Sequence, residues 1–271
     1  MAIQPIFTNA PKTKRSPDQV LHHIKRFTRT FVHEGGEEKH LNYEVSVPEH
    51  VMVMHETLLL AILRMAQTQD RGSLYERAST FLEEVEGEAI RRDVAFVETS
   101  ANELLDMCGV AANKVAYDRL EQNLDDLSKV HVKLWNEDTK AASSLIGYRW
   151  DRKNKEKIRI HVCWRLAAAL VVGAGKTQDF AMIQLDDRIT LPTDVARSLH
   201  RFLSAHIRPG NRQRYELETL VGKCWREKAG SPSTTRWREG EVRKAVDAID
   251  KLQEWKITRD GRWIEVERKA L

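Results

Sequence analysis

Long apolar runs are absent from these 271 residues: nowhere do about 18 consecutive apolar side chains occur, the length a helix needs to cross a bilayer. Cysteine is scarce. Cys108, Cys163 and Cys224 are odd in number and far apart, a spacing that suits neither a disulfide framework nor a zinc site and is ordinary in a reducing cytoplasm. The first thirty residues are broken by Pro5, Pro11 and Pro17 and carry charge, so no secretory signal is expected. Catalytic constellations are missing too. No Ser-His-Asp or Cys-His arrangement can be argued, and His50 and His55 lack zinc-protease spacing. Gly173-Ala174-Gly175-Lys176-Thr177 has the ending of a phosphate-binding loop, but Leu170 stands where the pattern needs glycine, and a strand rather than a helix is expected next. The expectation is a non-enzymatic protein without cofactor, metal or membrane segment.

What is present is charge in blocks. The net charge is only +4, yet residues 1–33 carry +5, 34–76 carry −5, 77–140 carry −6, 149–176 carry +6 and 201–271 carry +6. Clustered Lys and Arg suit duplex DNA, because neutralising phosphates releases condensed counterions.

Hydrophobic periodicity divides the chain into a short extension and two similar halves. Residues 1–33 read as a basic tail followed by a helix from Pro17-Asp18, with Val20, Leu21, Ile24, Phe27 and Phe31 on one face. The first half, 34–172, opens with an alternating strand (Leu41, Tyr43, Val45, Val47) that Pro48 ends. A core helix at about 50–67 follows, then an acidic insertion near 70–93 and a strand at 94–97. Ser100 with Glu103 makes a capping box for a short helix that Gly109 stops. Asn113 caps a longer helix, 114–128, burying Ala116, Leu120, Leu124 and Leu127. A strand at 130–134 and a hairpin, 145–150 with 158–162, complete a helix-turn-helix followed by a wing.

After a helix at about 164–171 and a linker, 173–179, the plan repeats over 180–271. Residues 180–185 read as the early strand, and Leu191-Pro192-Thr193 opens a helix with Val195, Leu199, Phe202, Leu203 and His206. Residues 215–223 read as the short helix, 233–255 as the longer one, and 256–267 as a hairpin with an Asp-Gly turn. The fold class expected is α+β, predominantly helical: two tandem winged-helix domains with an N-terminal extension.

At 100° per residue, Thr235, Val242, Val246, Ile249 and Leu252 face the core of the second long helix. Arg236, Gly240, Arg243, Lys244 and Asp247 face outward, while Arg238 falls beside the core face. Ser233, Thr234 and Arg236 stand near the helix start, where orphan amides and the positive dipole end favour phosphate. Arg259 and Arg262 on the second wing, with Arg212 and Arg214 before the short helix, extend the basic surface. In the first half the candidates are Asn113, Lys114, Arg119 and Gln122 on the helix and Arg152, Lys153, Lys155 and Lys157 at the wing tip. There Asp118, Asp125 and Asp126 share the outward face and oppose phosphate, so the second half is expected to dominate affinity.

Three stretches carry a family resemblance: residues 191–201 (LPTDVARSLHR), Ser233-Thr234-Thr235-Arg236-Trp237-Arg238 with Val242-Arg243, and the wing stretch Trp255-Lys256-Ile257-Thr258. From about residue 100 onward the chain resembles the replication protein C family, replication initiators of IncQ-type plasmids. The resemblance implies a cytoplasmic bacterial protein that binds direct repeats (iterons) in double-stranded origin DNA. It also implies opening of adjacent AT-rich DNA and recruitment of a plasmid helicase and primase, and it leaves room for a homodimer off DNA. Thr234, Thr235, Arg236, Arg238 and Arg243 are the binding residues it carries over. A winged-helix transcriptional regulator reading operator DNA is the alternative.

Overall fold

The structure, a computed structural model, describes residues 22–32, 38–48, 51–69, 95–135, 140–151, 157–162, 183–225 and 227–270. The chain divides into an N-terminal unit, Lys14–Val51 with Leu58–Gln178, and a C-terminal unit, Asp179–Leu271 with Met52–Thr57. Strand takes a larger share of the described residues than "predominantly helical" expects: seven helices accompany three sheets of ten strands.

In the N-terminal unit, β1 (His22–Val32) and β2 (Glu38–Pro48) form an antiparallel hairpin in full register from His22↔Pro48 to Val32↔Glu38. The helix expected from Pro17 is therefore corrected over residues 22–32. Its apolar stripe fits a helical period, but Thr28, Thr30, Phe31 and Val32 favour a pleated surface, and β2 supplies a ladder that local periodicity cannot reveal. Ile24, assigned to a buried stripe, is 55% exposed. The hairpin also removes the separation drawn at residue 33 between an extension and the first half. His22-His23, read as helical, lie on a strand.

Helix α1 (Val53–Gln69) buries Leu58, Leu59, Ile62 and Met65. β3 (Ala95–Thr99) leads into α2 (Ala101–Met107), whose N-cap Ser100 accepts from the Glu103 amide at 3.2 Å. The returning arm of the capping box goes elsewhere: Glu103 Oε2 accepts the Thr99 hydroxyl at 2.7 Å. Gly109 ends the helix at φ 68°, a left-handed conformation that glycine adopts without steric cost. Helix α3 (Lys114–Ser128) is capped by Asn113, whose Oδ1 accepts from the Ala116 amide at 2.9 Å.

β4 (His131–Trp135) does not join the wing. It pairs with β2 on one side and β5 (Lys140–Ser144) on the other, giving a sheet of order β1-β2-β4-β5. The wing hairpin, β6 (Ile146–Trp150) with β7 (Ile158–Val162), pairs instead with β3 in the order β3-β7-β6. The insertion near 70–93, the helix at 164–171, the linker and the wing-tip residues Arg152, Lys153 and Lys155 lie outside the described residues.

The C-terminal unit follows part of that order, without a counterpart of the β1-β2-β4-β5 sheet among the described residues. Helix α4 (Leu185–Thr190) takes the place of part of the early strand expected at 180–185, of which residues 180–182 lie outside the described set. Asp186 and Asp187 in its first turn suit the positive end of a helix, and Leu185 and Arg188 are its buried residues. Helix α5 (Asp194–His206) starts at Thr193, whose hydroxyl accepts from the Ala196 amide at 3.2 Å. His206, placed in the core by periodicity, is exposed. β8 (Arg212–Glu216) claims Tyr215 from the short helix, which becomes α6 (Leu217–Cys224). Pairing Tyr215 with Ile264 decides that exchange.

Helix α7 (Pro232–Asp250) is N-capped by Ser231, with Pro232 in its first turn. It ends five residues short of Trp255, which begins β9 (Trp255–Asp260) and is 1% exposed, the largest side chain in that core. The hairpin to β10 (Trp263–Arg268) turns through Gly261 at φ 58° followed by Arg262, with glycine at the position a tight hairpin turn reserves for it. Sheet order β8-β10-β9 matches β3-β7-β6 strand for strand.

Candidate nucleic-acid interface

Helix α7 is held by one face and leaves the other to solvent. Val242, Ala245, Val246 and Ile249 are each at most 1% exposed and pack in one cluster with Leu199, Leu203, Leu220, Trp255, Ile264 and Val266. Burial of a side chain of that size contributes about 1.5–3 kcal/mol. Thr235, assigned to the core by the helical wheel, is exposed; its hydroxyl donates to the Ser231 carbonyl at 3.2 Å. The first turn stands beyond the end of the apolar ridge, where no core remains to meet it.

The helix start is a chain of hydroxyls. Ser231 Oγ accepts from the Thr234 amide at 3.2 Å and lies 2.9 Å from both Ser233 Oγ and Thr234 Oγ1. One turn on, Arg236 is exposed, and Arg243 is half-buried two turns later; neither side chain has an ion-pair or hydrogen-bond partner among the described residues. Lys244 pairs with Glu241 at 2.8 Å, a surface pair of little worth that a phosphate can replace. Around Gly240 an added Cβ would meet no atom within 4 Å, so the middle of the outward face is bare backbone.

Arg238 belongs to the fold more than to the surface. Its Nη1 donates to the Glu227 carbonyl at 2.6 Å and its guanidinium lies 5.2 Å from the Trp225 ring centre. It fixes the turn between α6 and α7. Arg259 is similarly employed: it pairs with Asp247 and donates to the Arg243 carbonyl at 2.8 Å, fastening the wing to the helix. Arg214 reaches Asp260 at 2.8 Å, Arg212 reaches Glu265 at 3.4 Å and Arg262 reaches Glu216 at 3.7 Å. Arg214 and Arg262 also lie 4.9 and 5.5 Å from the Trp263 ring centre, so the wing presents basic groups around one indole.

The N-terminal counterpart differs from the charge count. Asp126 is 2% exposed, accepts from Gln122 at 3.0 Å and faces Lys129 at 3.7 Å. Asp125 accepts the Tyr148 hydroxyl. Two of the three carboxylates assigned to the outward face of α3 are thus corrected to inward roles, which leaves Asp118 against exposed Lys114 and Arg119. Gln122 is occupied by Asp126, and Lys157 is exposed at the base of the wing.

Trp237 was missed by residue-type reasoning. It is 57% exposed and lies edge-on to Trp225, ring centres 5.9 Å apart. The helical wheel carried the signal, because Trp237 falls on one stripe with Ser233, Gly240 and Lys244.

The C-terminal unit also holds buried polar side chains. Arg188, 0% exposed, donates to Glu56 at 2.8 Å, to Thr57 Oγ1 at 3.1 Å and to the Arg197 carbonyl at 2.9 Å. Arg201 approaches Glu56 at 3.4 Å, and Arg268 pairs with Glu254 at 3.2 Å. Burial, with Arg188 and Arg268 nearby, pushes the His200 imidazole down to about 3. Burial lifts the Cys224 thiol to about 12, which makes it inert at neutral pH. Among the described residues, no helix is long and apolar enough to cross a membrane, and no group of three His, Cys, Asp or Glu is placed to hold a metal ion.

Comparison with known proteins gives a family and a fold. The family model described as Replication protein C (RepC) matches residues 65–268. A selenomethionine-derivative crystal structure of domains 2 and 3 of RctB shares 8% identity at a TM-score of 0.54, covering 98% of this chain and 95% of that one. A second structure of RctB domains 2–3 gives 10% identity and a TM-score of 0.50, with 97% and 95% covered. The Pi initiator protein in complex with iteron DNA gives 13% identity and a TM-score of 0.47, with 79% and 92% covered. No curated protein matches this chain.

Proposed function

The chain belongs to the replication protein C family, and from that premise we propose that it is a plasmid replication initiator that binds double-stranded origin DNA through two tandem winged-helix domains. One observation carries the reading: Arg236 and Arg243, unpartnered among the described residues, stand on the outward side of a helix whose other side is pinned by Val242, Ala245, Val246 and Ile249. An unpaired arginine on a rigid helix can read guanine N7 and O6 in the major groove, while the hydroxyls and amides at the helix start hold phosphate. The β9–β10 wing then lies along the adjacent backbone with Arg262, and Arg214 of β8 stands beside it. Helix α3 and its wing make the second, weaker contact through Asn113, Lys114 and Arg119.

Direct repeats as the target, opening of an AT-rich segment, and recruitment of a helicase and primase follow the family resemblance; action in the bacterial cytoplasm without catalysis or cofactor follows the motifs the sequence lacks, and a homodimer off DNA is compatible with the same proposal. A nuclease footprint of the whole chain on its plasmid origin tests the proposal. Protected direct repeats spaced about two helical turns apart are expected. Inverted half-sites would move the chain to the transcriptional regulators, and no protection at moderate salt would remove DNA binding altogether.

A further inference from the structure

We propose that Trp237 is a base-reading residue of α7 that receives the C5-methyl group of thymine in the major groove. The inference rests on the DNA-binding reading above and adds to it a source of sequence choice that no charged residue supplies.

An indole 57% exposed on an otherwise polar helix face is held by its neighbours. Trp237 packs edge-on against Trp225, itself 9% exposed, and Arg238 lies over that same Trp225 ring while donating to the Glu227 carbonyl. The ring is therefore positioned before any ligand arrives, which limits the ordering cost of binding. Three residues on, Gly240 leaves open space where a side chain would stand, and four residues back Ser233 offers only a hydroxyl. Between them a flat strip of backbone adjoins the indole. Arg236 and Arg243, unpartnered among the described residues, flank that strip with positive charge, which matches a polyanion and not an apolar protein surface. The thymine methyl is the apolar group that a base pair displays in the major groove, and apolar side chains, an aromatic ring among them, are what it contacts.

The test uses the whole chain and the duplex that the wild-type protein selects from a random-sequence pool. Each thymine of that duplex is replaced in turn by deoxyuridine, which deletes the methyl and leaves base pairing intact. At one or two positions wild type should bind about threefold to fivefold more weakly, the loss expected for one unburied methyl. Trp237→Ala should weaken binding to the thymine duplex by a similar factor and respond no further to deoxyuridine at those positions. Gly240→Leu, which fills the strip while leaving the indole, should likewise abolish the discrimination. If Trp237→Ala discriminates thymine from deoxyuridine as wild type does, or wild type shows no position sensitive to the methyl, the inference fails while DNA binding stands. If wild type selects no duplex, the DNA-binding reading falls first and takes this one with it.

Discussion

Helices α3 and α7 each follow a shorter helix in units whose three-stranded sheets have equivalent order, and each is capped by a side-chain oxygen that takes the third helical amide. Their outer faces diverge. On α7 two arginines have no partner among the described residues, while Lys244–Glu241 and Arg259–Asp247 are ion pairs at its surface. On α3 two carboxylates are engaged inside the unit: Asp126 by Gln122 and Lys129, Asp125 by the Tyr148 hydroxyl. Formal charge on a helix is therefore a poor measure of surface charge. Counting residues makes α3 repellent to phosphate, whereas its geometry leaves Asp118 beside two exposed cations, Lys114 and Arg119.

The sharpest break between the units lies beneath the surface. Glu56 serves two arginines in the C-terminal unit, one of them fully buried, whereas Glu44 serves Arg26 and Lys133, both well exposed. Glu56→Ala leaves the Arg188 guanidinium in the interior without its counter-charge, and should cost about 3–5 kcal/mol of stability. Glu44→Ala should leave the thermal midpoint nearly unchanged, because solvent takes over both cations. Calorimetry of the two variants side by side checks the contrast, and equal losses would erase it.

The next effect concerns DNA. Arg236→Ala or Arg243→Ala should each weaken specific binding by about 1–3 kcal/mol, the range of one arginine–guanine contact, with the thermal midpoint within a few degrees of wild type. Arg119→Ala should cost several-fold less. Fluorescence anisotropy on the same duplex ranks the three, and equal losses would make the two helices equal partners.

Acid should act through His200. Its folded value, about 3, is far below its ordinary 6.5, so the unfolded chain takes up this proton first. The stability this residue contributes is whole above pH 6.5 and is lost as pH falls from there toward 3. Over the first one and a half pH units the loss is about 2 kcal/mol. His200→Leu should flatten that limb of a midpoint-against-pH curve, and an unchanged slope would place the acid sensitivity elsewhere. The smallest expected effect is on salt dependence. Converting Lys153, Lys155 and Lys157 to glutamine should reduce the slope of log affinity against log salt by about 0.9 for each phosphate no longer neutralised. Titrations at several salt concentrations measure that slope, and an unaltered value would take the first wing off the DNA.

Much of this arrangement was legible in residue order. Ser100, Asn113 and Gly109 mark their helix ends because caps are decided within four residues. The α7 ridge and the Asp260-Gly261 turn were legible for the same reason. What escaped depends on partners far along the chain. Residues 22–32 combine a helical apolar spacing with β-favouring residue types, and only the β2 ladder selects strand. Tyr215 leaves the short helix because β10 offers it a place in a sheet. Arg238, carried over as a binding residue by the family resemblance, is drawn to Trp225 and the Glu227 carbonyl.

Local order by itself determined the helix ends, the apolar ridges and the alternation of basic and acidic blocks, since each is set by propensity and spacing over a few residues. Tertiary structure alone decided which charges stay free. Whether Asp126, Arg188, Arg236 or Arg259 meets solvent or a partner depends on residues brought near by folding, and the free energy of a charge is governed by its surroundings, not its place in the chain.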